Sequence, residues 1–419
     1  MNAALRKTLP LVCLLGLGSL FTMSATAAPG QGSQGFLYGR ITARSGSVYE
    51  GRLRWNNKEE AFWGDFFNAN KSDLPYVKHL PTEERRRRKS VEVFGVPIGI
   101  HWGTVDNEGR QLLVRFGDLR RIEVSQGNDA TVVFKSGGRS KVTGGSNDVD
   151  PDTEITVWDR SAGEIRMKWQ EIRMIDFLPA PADLAVPVSR LRGTVHTGNG
   201  TFRGYIQWDQ DECLSSDELD GTAGDGQVSL QMGKIRSIAK RSRQSSEVVL
   251  RDGRTLVLSG TNDVDASNRG IYVNDPRIGR VLIPWDAFRR VDFDPPGDSG
   301  PAYTDFRHGR PLFGKVTTAQ GKTWRGRLVY DADETEAVET LDGNRRDVEY
   351  SIPFARIAFL LPEKTNSSRV VLKNGQELRL EGSADVGREN AGVLVFDRGQ
   401  KNPRYIPWED VRRIDFEGR

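Results

Sequence analysis

The 419-residue chain carries 60 lysines and arginines against 57 aspartates and glutamates, a net charge of +3. A charge so nearly balanced excludes recognition of nucleic acid by bulk electrostatics. Two cysteines, one of them in an N-terminal apolar run, exclude a framework of internal disulfides, so stability must come from hydrophobic cores.

The N-terminus reads as an export signal. Arg6 and Lys7 precede the apolar run TLPLVCLLGLGSLF, and Ala25-Thr26-Ala27 follows as a cleavage site. The run is too short for a typical membrane span. Residues 1–27 are therefore expected to be removed. That takes away two cations and Cys13, leaving a net charge of +1 and Cys213 alone on a periplasmic or extracellular chain. Residues 28–36 are expected to be a flexible N-terminus.

The remainder reads as one unit written three times. ATVVFKSGGRSKVTGGSNDVDPDTEITVWD, SEVVLRDGRTLVLSGTNDVDASNRGIYVND and SRVVLKNGQELRLEGSADVGRENAGVLVFD align, and each is followed by a closing line such as GRVLIPWDAFRRVDF. An earlier line, LYGRITARSGSVYEGRLRW, matches LRGTVHTGNGTFRGYIQW and LFGKVTTAQGKTWRGRLVY. The copies fall at 37–178, 190–294 and 311–419, with proline-rich linkers between them. Gly39 to Gly193 covers 154 positions and Trp169 to Trp285 covers 116, so the first copy holds about 38 extra residues in its first half. We assign this insertion to about 56–111.

Each copy has a β pattern. Ile206 and Trp208 alternate with Tyr205 and Gln207, and β-rich runs flank Asp252-Gly253 and Asn374-Gly375, two strong hairpin turns. Pro284 suits the start of a single helical turn before the last strand. Trp55, Trp208 and Tyr330 share one repeat position, and Trp169, Trp285 and Trp408 another, which predicts core packing. The expected fold is all-β: three tandem repeats, each a pair of small β-barrel modules, with a short helical insertion in the first. A lone module of this size buries too little surface to be secure, so pairing would supply the missing burial.

The pattern V-x-L-x-D/N-G, written Val248-Val249-Leu250-Arg251-Asp252-Gly253 in the second copy, followed by Gly270-Ile271-Tyr272-Val273, resembles the first signature of Sm-like and SH3-like small barrels. The resemblance covers about 70% of the chain after export. It implies the fold. Sm-like proteins bind RNA through loop residues of a ring, and here an Asp-Val-Asp stretch stands in place of that loop, so RNA binding is not carried over.

That acidic stretch is one candidate site. Asp148, Asp150 and Asp152 alternate in the first copy, and Asp263 and Asp265 in the second. Such oxygens suit Ca²⁺ when they converge; Asn and Asp also cap turns, which explains all three copies at once. A second candidate is the insertion. Phe62 and Phe66, and Trp63 and Phe67, are four apart, which predicts a helix with one aromatic face that covers a barrel end or docks a partner. Arg85, Arg86, Arg87 and Arg88 form a solvated loop or hold an anionic polymer.

Catalytic motifs are weak. Gly297-Asp298-Ser299-Gly300-Pro301 resembles the nucleophile segment of trypsin-like proteases but lacks the second glycine and any segment to supply the base. His79, His101, His196 and His308 stand apart, and no phosphate- or dinucleotide-binding glycine loop occurs, so no cofactor is expected. The sequence therefore points to an exported, non-catalytic scaffold or binding module with an envelope protein as partner. An alternative is a binder of an anionic or glycan envelope polymer, and a second is a hydrolase whose residues meet only in three dimensions.

Overall fold

The computed structural model describes residues 33–56, 59–85, 110–125, 127–144, 148–224, 226–307, 309–363, 366–397, 400 and 402–418. The expected export signal at residues 1–27, His101, His308 and the cations Arg86, Arg87 and Arg88 lie outside the described residues.

The described chain is all-β and forms two large antiparallel sheets. The first ten strands are β1 (Tyr38–Ala43), β2 (Val48–Arg54), β3 (Phe66–Lys71), β4 (Gln111–Arg115), β5 (Leu119–Val124), β6 (Ala130–Phe134), β7 (Arg139–Thr143), β8 (Glu154–Asp159), β9 (Gly163–Lys168) and β10 (Ile172–Phe177). They make one sheet in the order β4-β3-β7-β6-β5-β10-β1-β2-β8-β9. The next ten are β11 (Arg192–Thr197), β12 (Gly200–Gln207), β13 (Glu218–Ala223), β14 (Gly226–Gln231), β15 (Ile235–Lys240), β16 (Ser245–Leu250), β17 (Thr255–Ser259), β18 (Ile271–Asp275), β19 (Gly279–Ile283) and β20 (Phe288–Phe293). The last ten are β21 (Phe313–Thr318), β22 (Thr323–Tyr330), β23 (Thr340–Arg345), β24 (Val348–Pro353), β25 (Ile357–Glu363), β26 (Ser367–Leu372), β27 (Glu377–Glu381), β28 (Val393–Phe396), β29 (Arg404–Ile406) and β30 (Val411–Phe416).

Both later runs pair their strands in the scheme of the first, and β19 pairs with β24 to join them into one twenty-stranded sheet. Its register sets Arg280 opposite Ser351, Val281 opposite Tyr350 and Leu282 opposite Glu349. Strands from the two halves of a run are interleaved: β10 lies between β1 and β5, and β3 pairs with β7. Neither sheet closes on itself, so the expected six separate closed barrels are not what the ladder forms.

The local rules explain the strands. β10, β20 and β30 share one burial alternation, with Ile172, Ile175 and Phe177, then Phe288, Val291 and Phe293, then Val411, Ile414 and Phe416 turned inward. Asp252-Gly253 and Asn374-Gly375 turn β16 into β17 and β26 into β27, with both glycines at positive φ. Glycine is also required where β12 crosses β18: a Cβ on Gly204 would lie 2.4 Å from the Asn274 carbonyl oxygen. One core runs continuously through the second and third runs, and a second fills the first run and takes in Tyr303, Phe306 and Val338. Trp55, Trp169, Trp208, Trp285, Tyr330 and Trp408 are all core residues.

The insertion is placed differently from the sequence expectation. β3 and β4 are the partners that correspond to β13 with β14 and β23 with β24. Residues 56–71 therefore belong to the shared frame, and the extra chain is the connection 72–110, against two residues at 224–225 and 346–347. Phe66 and Phe67 lie on a strand rather than a helix. The spacing of four fits a helix, but Phe67, Ala69 and Lys71 also alternate, and pairing with β4 and β7 selects the strand. Helix is present in the connection at residues 82–85. Among the described residues no helix is long and apolar enough to cross a membrane.

Candidate functional site

The acidic bends serve the backbone. The Asp148, Asp263 and Asp385 carboxylates accept the Asn68, Asp220 and Asp342 N–H groups at 2.6, 2.6 and 2.7 Å. The main-chain carbonyls of the same three acids accept Trp55 Nε1 at 3.2 Å, Trp208 Nε1 at 2.9 Å and the Tyr330 hydroxyl. Each bend thus ties the large core aromatic to the strand that follows it. Burial pushes the Asp148 carboxyl up to about 8 and Asp263 up to about 6. The other acids act within their turns: Asp150 accepts the Asp152 N–H at 3.0 Å, and Asp265 accepts the Ser267 N–H at 2.9 Å.

Asp148 instead meets Glu59 and Glu60, with one oxygen of each within 4.8 Å of the others. Burial, with Asp148 next, drives the Glu60 carboxyl well above its ordinary range. Opposing this group is the buried Arg280 guanidinium, held between Phe66 at 4.6 Å and Tyr272 at 4.1 Å. A fixed cation therefore already stands against this acidic group.

The aromatic docking face does not form, because every member is buried. Phe62 packs on Phe36, Cys213 and Leu214, Trp63 on Phe177 and Tyr303, and Phe67 on Trp55 and Phe116. Phe66 lies beneath Arg280. Arg85 is exposed and donates to the Thr82 hydroxyl. Ser299 is buried and its hydroxyl accepts the Gly35 N–H at 2.9 Å, which makes it a clamp on the N-terminal segment. Burial raises the Cys213 thiol well above its ordinary range, so it behaves as a small apolar group.

What the tertiary structure adds is a junction between the runs. Asp65, Asp217 and Glu339 each accept two backbone N–H groups of their own loop, from Ala61 and Phe62, Cys213 and Leu214, and Thr335 and Glu336. Each also meets a cation from elsewhere: Arg190, Arg54 at 2.9 Å and Lys71 at 2.6 Å. Burial opposes the charge on Lys71, but Asp333 and Glu339 outweigh it and raise its pKa.

At this junction lies a pocket of about 260 Å³ whose walls include Phe66, Tyr205 and Phe306. Arg115 comes from the first run, Arg190 from the segment before β11, and Arg356 from the third run. Arg190 is buried between Phe62 at 4.8 Å and Tyr205 at 4.4 Å. One of its amino groups pairs with Asp65, while its Nε and Nη1 have no partner among the described residues. Arg115 pairs with Asp118 at 2.8 Å and lies over the Phe306 ring. The Arg356 guanidinium has no ion-pair partner among the described residues, and burial, then the like charge of Arg115, lowers its pKa. Asn274 Oδ1 is also buried and unpartnered, and Asp275 and Asp305 complete the polar lining. Among the described residues no Ser, Thr, Cys, His or Lys lines the pocket. Its chemistry suits binding of an anionic group by guanidinium donors.

None of these arginines stands out in the sequence. Two of their neighbours, Tyr303 and Phe306, sit in a stretch that reads as a linker, yet both are buried in the first run's core. Two aromatics three residues apart, two residues after Pro301, were the one available signal. No family model, curated protein or solved structure matches the chain.

Proposed function

We propose that the protein is an exported, non-catalytic binding module of the cell envelope whose ligand places a carboxylate or phosphate in the junction pocket. The carrying observation is the convergence of Arg115, Arg190 and Arg356, with buried guanidinium donors of Arg190 unpartnered and Arg356 without an ion pair among the described residues. A buried donor without a partner costs about 1–3 kcal/mol, which a bound oxyanion would offset. The aromatic walls exclude water and strengthen the charge–charge attraction.

The chain reads as three copies of one small barrel-derived unit, at 37–178, 190–294 and 311–419. The strand-for-strand match in pairing supports this. Fusion makes the pocket possible, because no single copy supplies more than part of its wall.

The test is calorimetric titration of the full chain with inorganic phosphate and, separately, succinate. Saturable binding of either one, abolished in Arg356→Gln without a change in melting temperature, is the expected result. Absence of heat and of any thermal stabilisation at millimolar concentrations of both would overturn the reading, since a ligand at ~100 times its Kd should stabilise by about 2.7 kcal/mol.

A further inference from the structure

Among the described residues four strands pair on one side only and end the two sheets: β4 and β9 in the first, β14 and β29 in the second. Two are covered. Leu112, Leu113 and Val114 of β4 are buried, and β4 lies against β23 of the third run. Beside β29, Tyr405 packs against the buried cluster of Leu80, Val329, Ala332, Ala391 and Leu394, as do Tyr76 and Val77 of the 72–110 connection. The other two are open: β9 and β14 are largely exposed, and no strand pairs with their outer edges among the described residues.

These two edges are of complementary kind. Within the chain β19 pairs with β24, and β9 is the counterpart of β19, as β14 is of β24. Hairpin registers fix the correspondence. Val281 faces Val273 as Ile165 faces Val157, and Tyr350 faces Gly343 as Val228 faces Gly221. Val281 and Tyr350, which meet across the joined edges, are buried, whereas Ile165 and Val228 are half-buried. β14 carries no charge, proline or bulge, the usual devices that keep an edge from pairing.

We propose that β9 of one copy of this chain pairs antiparallel with β14 of a second copy, in the register of the β19–β24 join. Ile165 then lies opposite Val228, Glu164 opposite Ser229 and Arg166 opposite Gln227. The contact is heterologous, so the first copy keeps its β14 edge free and the second its β9 edge, and assembly continues into a ring or filament. A protein already built by joining these edges within one chain would use them again between chains.

The test uses Ile165→Cys and Val228→Cys, each made with Cys13→Ser in the full chain and purified separately; Cys213 is buried and stays. Residues directly opposite in an antiparallel pair lie within disulfide reach. Mild oxidation of the mixture should give disulfide-linked dimers, and each variant alone should give none. Sedimentation velocity of the parent should show mass rising past the dimer with concentration, and this rise should be lost in Val228→Lys. Equal cross-linking by either variant alone would indicate a symmetric edge and overturn the proposal. No cross-link in the mixture, with the parent monomeric at all concentrations, would overturn it as well.

Discussion

Asp148 and Asp263 show how much a single carboxyl can do when it is buried at a bend. Their side chains accept a backbone N–H that would otherwise be buried without a partner, and their carbonyls hold the indole N–H of Trp55 and Trp208. Burial raises both pKa values, to about 8 and about 6, against roughly 3.9 in an unfolded chain. The folded protein then binds more protons than the unfolded one between those limits. Stability from these groups is full below about pH 4 and falls as pH rises through about 6 for Asp263 and about 8 for Asp148. Urea denaturation at pH 5 and pH 9 should show this loss. Asp148→Asn keeps the acceptor and should flatten the decline. Asp148→Ala removes the acceptor and should cost about 1–3 kcal/mol at pH 5, and less at pH 9, where the parent has already lost the contribution of the protonated carboxyl. The acidic letters were legible in the sequence as turn formers. Their burial was not, because it depends on the strand and indole that close over them.

At the scale of elements, buried ion pairs clamp one run to another. Lys71 ends β3 and reaches Asp333 at 3.0 Å and Glu339 at 2.6 Å, with all three side chains buried. Removing one partner of such a group leaves uncompensated buried charge, so Lys71→Met should destabilise by about 3–5 kcal/mol in chemical denaturation. The 72–110 connection is tied down by a smaller contact, where buried Leu80 packs on Val329, Ala332 and Leu394. Leu80→Ala should cost about 2–5 kcal/mol of local stability. Limited proteolysis should then cut around residues 75–85 faster, with the far-ultraviolet circular dichroism unchanged. β3 itself was ambiguous in the sequence: Phe62, Trp63, Phe66 and Phe67 satisfy a helical spacing as well as a strand. Cross-strand partners distant in sequence broke the tie, which no local rule could do.

For the whole molecule, joining by edges gives the chain its continuity: β19 meets β24, and one core runs through both runs. The first run attaches differently, through ion pairs at Arg54, Asp65 and Lys71 and through the apolar cluster of Phe36, Phe62, Cys213 and Leu214. That difference leaves β9 and β14 open and brings Arg115, Arg190 and Arg356 to one pocket. It follows that a charge change at Arg356 should alter ligand binding while sparing assembly, and that Val228→Lys should do the reverse. Calorimetry and sedimentation on the two variants would check this separation.

By itself the sequence determined what depends on near neighbours: alternating strands, the Asp-Gly and Asn-Gly hairpins and the aromatic core positions. Those features follow from backbone sterics and from burial of one strand face, which are read over a few residues. Only the tertiary structure decided that the halves of each run interleave, that the aromatics at 62–67 are core, and that three arginines far apart in the chain meet. Contacts of that kind depend on which sheet faces and edges remain to be covered once the strands exist, and the chain order does not record that.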